Sequence, residues 1–367
     1  MIFDGTTIAC YEHAIPPFVE AELHRLYGNV FSSLAQFRIY GGLSPATNTY
    51  VVRSGETITT IFLFTRDKDR VHVLNEGIRL DDAEVTRFAD YVFKTWRGVG
   101  VITFRAVQAD IHRLPFAHQK CNHSEDIVLD LPASADEYTA SLGKRTRKNI
   151  RYYMSRLTRN YPTFSYRVYS KDEVGPQHIK AIAALNHARM ADKNKQSDID
   201  EEEVRQLTSM ARECGMVGVI MIDGRICAGA ICSQSGPNFF LNVIGHDPAY
   251  DEDRIGTLCC YLTICESIAR GGKEFHFLWG RYEYKFLLLG VLRDLDNLVI
   301  YRSSVRYLLN SNIALRTAAR GVMRRAKLWL DEGRREGHAV ARHISASLEL
   351  LRSLKRAGFA LVNRPAK

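Results

Sequence analysis

Two stretches of this chain bring together residue types that could bind an anion. In the first, an apolar strand-like run ends at Gly245-His246-Asp247 and gives way, through Arg254-Ile255-Gly256-Thr257, to the helix-like run LCCYLTICESIAR. A glycine turn leading into a helix N-terminus presents unpaired backbone N–H groups and the positive end of the helix dipole, and glycine lets a phosphate approach the backbone. A single glycine of this kind also fits an ordinary strand-to-helix turn. The second stretch, Lys144 to Arg159, carries seven basic residues (Lys144, Arg145, Arg147, Lys148, Arg151, Arg156 and Arg159) and no acid. Ile150, Tyr153, Met154 and Leu157 recur there at helical spacing, so the run reads as a helix with one face packed. Its basic face is either solvated or turned towards an anion: a carrier phosphate, a nucleotide-linked sugar, an acidic carrier protein or tRNA. No RNA-binding motif accompanies it.

The eight cysteines form no CxxC pair and have no zinc-ligand spacing with histidine. Most lie in apolar runs such as TLCCYLTIC, as core thiols in a reducing compartment would. No metal site is expected.

The elements that must position these residues follow from periodicity and turn signals. With 367 residues the chain can form two lobes. It shows no stretch of roughly 18 uncharged apolar residues and no basic-then-apolar leader, so a cytoplasmic location is expected. The net charge of +9 belongs to the tail: from Asn310 onward there are thirteen Lys/Arg against four Asp/Glu, and the remainder is neutral. Early in the chain, a helix near 15–30 is followed by strands at TNTYVVRS, TITTIFLFTR and RVHVLNEG. A helix capped by Asp81 or Asp82 then leads to a strand at VGVITFRAV. Residues His118 to Pro132 read as a crossover. Two helices, a strand and two more helices lead to MVGVIMIDGRICAGAICSQSGPNFFLNVIGHD, where DG and SG turns mark hairpins. The glycine-turn helix, KEFHFLWG, the short turn YEYKFLLLG and a last strand at DNLVIYRSS complete the second lobe. The expected units are an N-terminal lobe over 1–132, a C-terminal lobe over 133–303 and a basic helical tail over 304–367.

Four segments in order, from about Ser141 to Arg302, resemble the BioF-like/CelD-type acetyltransferase family, a FemAB-like branch of the GNAT superfamily. They are SLGKRTRKNIRYYMSRL, LNHARMADK, the hairpin and glycine turn through TLCCYLTI, and FHFLWGRYEYKFLLLG, which resembles F-D-F-x-x-G-D-x-x-Y-K-x-x-x-G. The resemblance implies an α/β (α+β) fold of two tandem GNAT-like lobes with mixed central sheets, plus the helical basic tail. It implies transfer of an acyl group to a small-molecule amine, with acyl-CoA or acyl carrier protein as co-substrate and no bound cofactor. On that reading Phe239–Gly245 is a splayed strand that polarises the thioester, and Arg254, Ile255, Gly256 and Thr257 hold the carrier's pyrophosphate. Tyr284 is the candidate acid, Lys285 a phosphate or carboxylate ligand, and His246, Glu283 or His276 the base. Lys144, Arg147, Lys148, His187, Arg189 and Arg281 are candidate substrate contacts.

Each residue also has a plainer role. Tyr284 and Lys285 would pack and snorkel, His246 would brace a turn, His187 would sit at a lobe interface and Glu283 would be solvated. Two positions depart from the family pattern, His276 and Arg281 standing where it has Asp. Family members imply an amino-sugar or envelope-polysaccharide precursor as acceptor. A FemAB-like enzyme with an aminoacyl-tRNA donor is an alternative, suggested by the basic helix and tail. Another is a non-catalytic accessory protein of a membrane-bound polysaccharide synthase, whose tail contacts the membrane periphery.

Overall fold

The computed structural model describes residues 2–3, 6–192 and 199–335. The N-terminal part contains strands β1 (Ile2–Phe3), β2 (Thr6–Tyr11), β3 (Asn48–Ser54), β4 (Thr57–Asp67), β5 (Arg70–Val73), β6 (Arg79–Asp81), β7 (Val101–Asp110) and β8 (Ala117–Asp130). Its helices are α1 (Val19–Tyr27), α2 (Leu34–Tyr40) and α3 (Asp82–Thr95). Next come α4 (Ala135–Ser141), α5 (Lys144–Asn160), β9 (Ser165–Ser170), α6 (Pro176–Asp192) and α7 (Glu201–Cys214). They are followed by β10 (Gly215–Ile222), β11 (Arg225–Ser235), β12 (Asn238–His246), α8 (Ile255–Ala269), β13 (Glu274–His276), α9 (Glu283–Leu287) and β14 (Val291–Tyr301). Helices α10 (Ser304–Leu309) and α11 (Ser311–Arg335) form the described part of the tail.

Local chemistry explains most boundaries. The Asp81 carboxylate accepts from the Glu84 amide at 2.8 Å and starts α3. The β10–β11 hairpin turns on Asp223 and Gly224, both at positive φ (51° and 74°), as a two-residue hairpin requires.

The two lobes share one plan. In the first, β2, β3, β4 and β5 are antiparallel, α3 crosses over, and β7 returns parallel to β5. In the second, β9, β10, β11 and β12 are antiparallel, α8 crosses over, and β13 returns parallel to β12. Helices cover both faces. Phe88 of α3 lies 4.9 Å from Tyr50 and 5.1 Å from Phe62 by ring centroids, while α1 and α2 bury Val19, Leu23 and Phe37 on the other side.

Between the lobes the sheet is continuous, in the order β5-β7-β14-β8-β13-β12. The segment expected as a crossover is thus the strand β8, which pairs antiparallel with β13 and β14. The correction has a physical basis: His118–Ser124 is polar and nowhere fully buried, so it lacks apolar alternation, and the hydrogen bonds of the strand come from strands more than a hundred residues away. β14 in turn pairs with β7. The exchange extends into the cores. Leu298 and Ile300 of β14 pack among N-terminal residues such as Phe88 and Phe104, whereas Ile127 and Leu129 of β8 pack among C-terminal ones such as Phe275 and Leu258.

The tail rests on this junction. Gln119 donates to the Ala314 carbonyl at 3.4 Å, and Gly321 lies so close to β8 that an added Cβ would stand 3.0 Å from the Cys121 Cβ. Leu315, Val322 and Trp329 remain exposed on α11. Residues 336–367 of the expected tail lie outside the described residues. Among the described residues no helix is long and apolar enough to cross a membrane.

Since each core contains a strand from the other half, the chain should unfold in a single calorimetric transition. Leu298→Ala, costing about 3 kcal/mol at a fully buried site, should lower that transition as a whole. Two separated transitions, with only one displaced by the substitution, would contradict the shared core.

Candidate functional site

β12 and β13 are paired only from Asn238–Phe240 to Glu274–His276. Beyond Phe240, β12 runs on to His246 while the chain after His276 turns away, and a cavity of about 540 Å³ opens at the divergence. Leu241–Ile244 form one wall and Phe277–Gly280 the other, with Tyr282 and Tyr284 beside them. The N-terminal lobe closes it with Phe31, Gln36 and Tyr40, and α6 and α7 contribute Arg189 and Glu203. The cavity therefore lies between the lobes.

Tyr284 and Arg189 both reach this space. Burial pushes the Tyr284 phenol well above its ordinary range, and the Arg189 charge pulls it partly back. Glu203 belongs to the acidic opening turn of α7. Burial raises its carboxyl above the usual value, the Tyr40 hydroxyl, which donates to it at 3.1 Å, opposes this, and neighbouring Asp200 and Glu202 add to the rise. A half-buried carboxyl raised in this way holds a proton more readily than a solvated one, as a general base must. Within the run EEE nothing in the sequence separates Glu203 from its solvated neighbours. Phe31, Tyr40 and Trp279 escaped sequence reasoning for the same reason.

Lys285 is 3 % exposed, and its ammonium donates to the carbonyls of Phe277 at 2.8 Å, Leu278 at 3.1 Å and Trp279 at 2.6 Å. Burial lowers its pKa to about 8, yet three carbonyl acceptors call for three protons, so the site binds the ammonium form. No proton is left for a phosphate or carboxylate, the role expected of it. It fastens the wall of the cavity, which includes Leu278 at φ 58°. Gly290 completes the same motif: its amide donates to the Lys285 carbonyl at 2.9 Å, and a Cβ there would stand 2.5 Å from Ile127 of β8.

The glycine turn lies at the far end of β12. Arg254 takes a left-handed conformation (φ 54°) at the start of α8, and no side chain caps that helix. The first-turn amides from Ile255 to Thr257 are thus left for an anion or water. Gly256 is required by His246: a Cβ would come within 2.5 Å of the imidazole Nδ1. His246 Nε2 is 2.8 Å from Asp251, so the ring braces the turn rather than facing the cavity. Buried Asp253, also in this turn, is held by Arg156 at 2.7 Å, which fastens the basic helix α5 to it. Arg147 is likewise engaged, donating to the Ala140 carbonyl at 2.8 Å. Lys144 and Lys148 are exposed on α5, His187 is exposed on α6, and Glu283 is exposed at the start of α9. None of these four lines the cavity. Cys259 and Cys260 are buried in α8, where burial pushes the Cys259 thiol up to about 12.

The two departures from the motif meet adjacent acids of β8. His276 Nδ1 is 2.7 Å from Asp126 and its Nε2 3.1 Å from Glu274, with the ring stacked 4.1 Å from Phe240. Arg281 lies 3.8 Å from Glu125, which Arg324 of α11 also contacts. Burial opposes charge on His276, but the two carboxylates outweigh it and its pKa is raised; Glu274 is held down at about 2, chiefly by His276. His276 is therefore a buried junction residue, not an accessible base.

Residues 144–286 match the family model described as an acetyltransferase (GNAT) domain. Among solved structures, FemX aligns with a TM-score of 0.60 at 10% identity, over 79% of this chain and 96% of that one. L-PGS from Bacillus licheniformis aligns at 0.48 and 14% identity, over 85% and 98%. A tandem GNAT protein from the clavulanic acid biosynthesis pathway aligns at 0.37 and 10% identity, over 80% and 98%. No curated protein matches the sequence. The C-terminal lobe is thus similar to a GNAT acetyltransferase domain over residues 144–286; at 10% identity the FemX likeness speaks to the fold alone.

Two consequences are measurable. Replacing Lys285 by Met should strand three carbonyls and cost about 3 kcal/mol in urea unfolding; a lysine serving only as a ligand contact would leave stability unchanged. His276 has a raised folded pKa, so its stabilising contribution is complete below the ordinary value of 6.5 and is lost as pH rises through the folded value. His276→Gln should remove that alkaline decline from the stability profile.

Proposed function

We propose that the protein is an N-acyltransferase, moving an acyl group from acyl-CoA, or a thioester on an acyl carrier protein, to a small-molecule amine bound between the lobes. The observation that carries this reading is the parting of β12 and β13, which opens the cavity beside Leu241–Ile244. The same strand leads to an uncapped helix start. The donor's arm would follow the open edge of β12, where a backbone N–H polarises the thioester carbonyl. Its pyrophosphate would meet the Ile255–Thr257 amides.

The amine nitrogen attacks the carbonyl carbon, the C–N bond forms and the C–S bond breaks. Glu203, directly or through a water, takes the proton released by the amine. Tyr284, kept protonated by burial, gives its proton to the departing sulfur, and Arg189 beside it stabilises the phenolate that results. Lys285 keeps the facing wall in place. The cavity is of a size for a sugar-sized amine, which suits an amino-sugar or envelope precursor.

One observation favours a second donor. Lys144, Lys148 and Arg151 stand exposed on α5, a surface suited to an extended polyanion such as an aminoacyl-tRNA.

Calorimetric titration with CoA and acetyl-CoA tests the choice. Binding should weaken at least tenfold in Gly256→Val, whose side chain collides with His246. Tyr284→Phe should lower turnover about a hundredfold without changing the melting temperature, as loss of a general acid does. Absence of CoA binding, with salt-sensitive binding of tRNA in its place, would transfer the reading to the second donor.

A further inference from the structure

The N-terminal lobe repeats the feature that opens the cavity in the C-terminal one. β5 and β7 run parallel through His72 and Thr103 and then part, as β12 and β13 do after Phe240 and His276. A second cleft, of about 510 Å³, lies at that divergence and is closed by β14 and α11.

Its charge is one-sided. Arg70 and Arg105 face it from the sheet, and Arg316 and Arg320 from successive turns of α11, against the single carboxylate of Glu76. Glu76 is 3.5 Å from Arg105 and can balance only that group. Arg70 Nε is buried without a hydrogen bond and pairs at 3.7 Å with Asp69, which does not line the cleft. Among the described residues neither Arg316 nor Arg320 makes an ion pair. His72 adds no charge: its Nδ1 is 2.7 Å from a Thr103 hydroxyl that itself donates to the Val71 carbonyl, and burial lowers its pKa. Guanidinium groups gathered over an apolar floor of Phe37 and Val299 repel one another until an anion joins them. Their forked donors match phosphate oxygens.

We propose that this cleft binds a phosphate-bearing ligand, the phosphate held by Arg70, Arg105, Arg316 and Arg320 and an organic portion lying against Phe37 and Val299. Two of the four arginines ride on α11, so the ligand clamps the tail helix to the N-terminal lobe. This site is separate from the thioester cavity, since the two share no lining residue. The phosphate belongs to a soluble ester or to a lipid headgroup.

The test is calorimetric titration of the full chain with inorganic pyrophosphate and with ADP, alongside sedimentation with phosphatidic acid vesicles. Saturable binding is expected, weakened at least tenfold by combined Arg316→Ala and Arg320→Ala, largely kept by Lys at both positions, and insensitive to Gly256→Val. Amide exchange across 311–330 should slow when ligand is present. Vesicle binding that pyrophosphate displaces would place the phosphate on a lipid, whereas binding of the soluble probes alone would place it on a small molecule. Binding lost in Gly256→Val but unchanged in the double alanine variant would overturn the assignment, as would failure of all three probes to bind.

Discussion

The antiparallel pairing of β8 with β14 is the contact on which the rest of the molecule depends. Each strand follows the parallel fifth strand of its own half and then lies beside the fifth strand of the other. The lobes are therefore joined by main-chain hydrogen bonds and by side chains lent to each other's cores, not by docking of two finished surfaces. An interface of packed domains leaves relative motion as the default. A shared sheet removes that freedom, and the cavity between Phe31, Tyr40, Arg189 and Tyr284 keeps its shape because its walls belong to one framework.

The same junction accounts for the two unusual residues of the C-terminal motif. A histidine and an arginine in place of two aspartates would read as a damaged site if only the motif were considered. In the fold both are answered by acids on β8: Asp126 for His276 and Glu125 for Arg281. Arg293 of β14 extends the array, reaching Glu274 at 2.7 Å and Asp130 at 3.0 Å. Basic residues on β13, the following loop and β14 meet acids on β8 and β13, so the departures belong to the junction and leave Tyr284 and Arg189 untouched.

Much of the fold was legible in the sequence because it rests on local rules. The Asp81 cap, the Asp223-Gly224 hairpin, the glycine entering α8 and the basic stripe of α5 are all written within a few residues. What was not legible depends on distant main chain. β8 shows no alternation over His118–Glu125, and its pairing with residues 274–276 and 291–301 has no local sign. Lys285 followed a motif that could equally mark a ligand contact, and its three partners are backbone carbonyls, which no residue pattern reveals. Glu203 is set apart from Glu201 and Glu202 only by the enclosure that Tyr40 and the cavity provide. Of the residues expected at the site, Arg189, Tyr284 and Lys285 lie at one cavity; the anion turn stands at the end of the strand leading from it.

The strand exchange also orders events in time. Residues reach the ribosome exit from the N-terminus onward, so the strands from β2 to β7 exist long before β14. Until residue 301 has emerged, β7 has an open edge where β14 will lie, and the apolar cluster around Phe88 and Phe104 lacks Leu298 and Ile300. An open, apolar strand edge invites pairing with another chain. The first half of this protein must therefore wait, incomplete, for nearly all of the second, and its synthesis depends on shielding that edge during the interval.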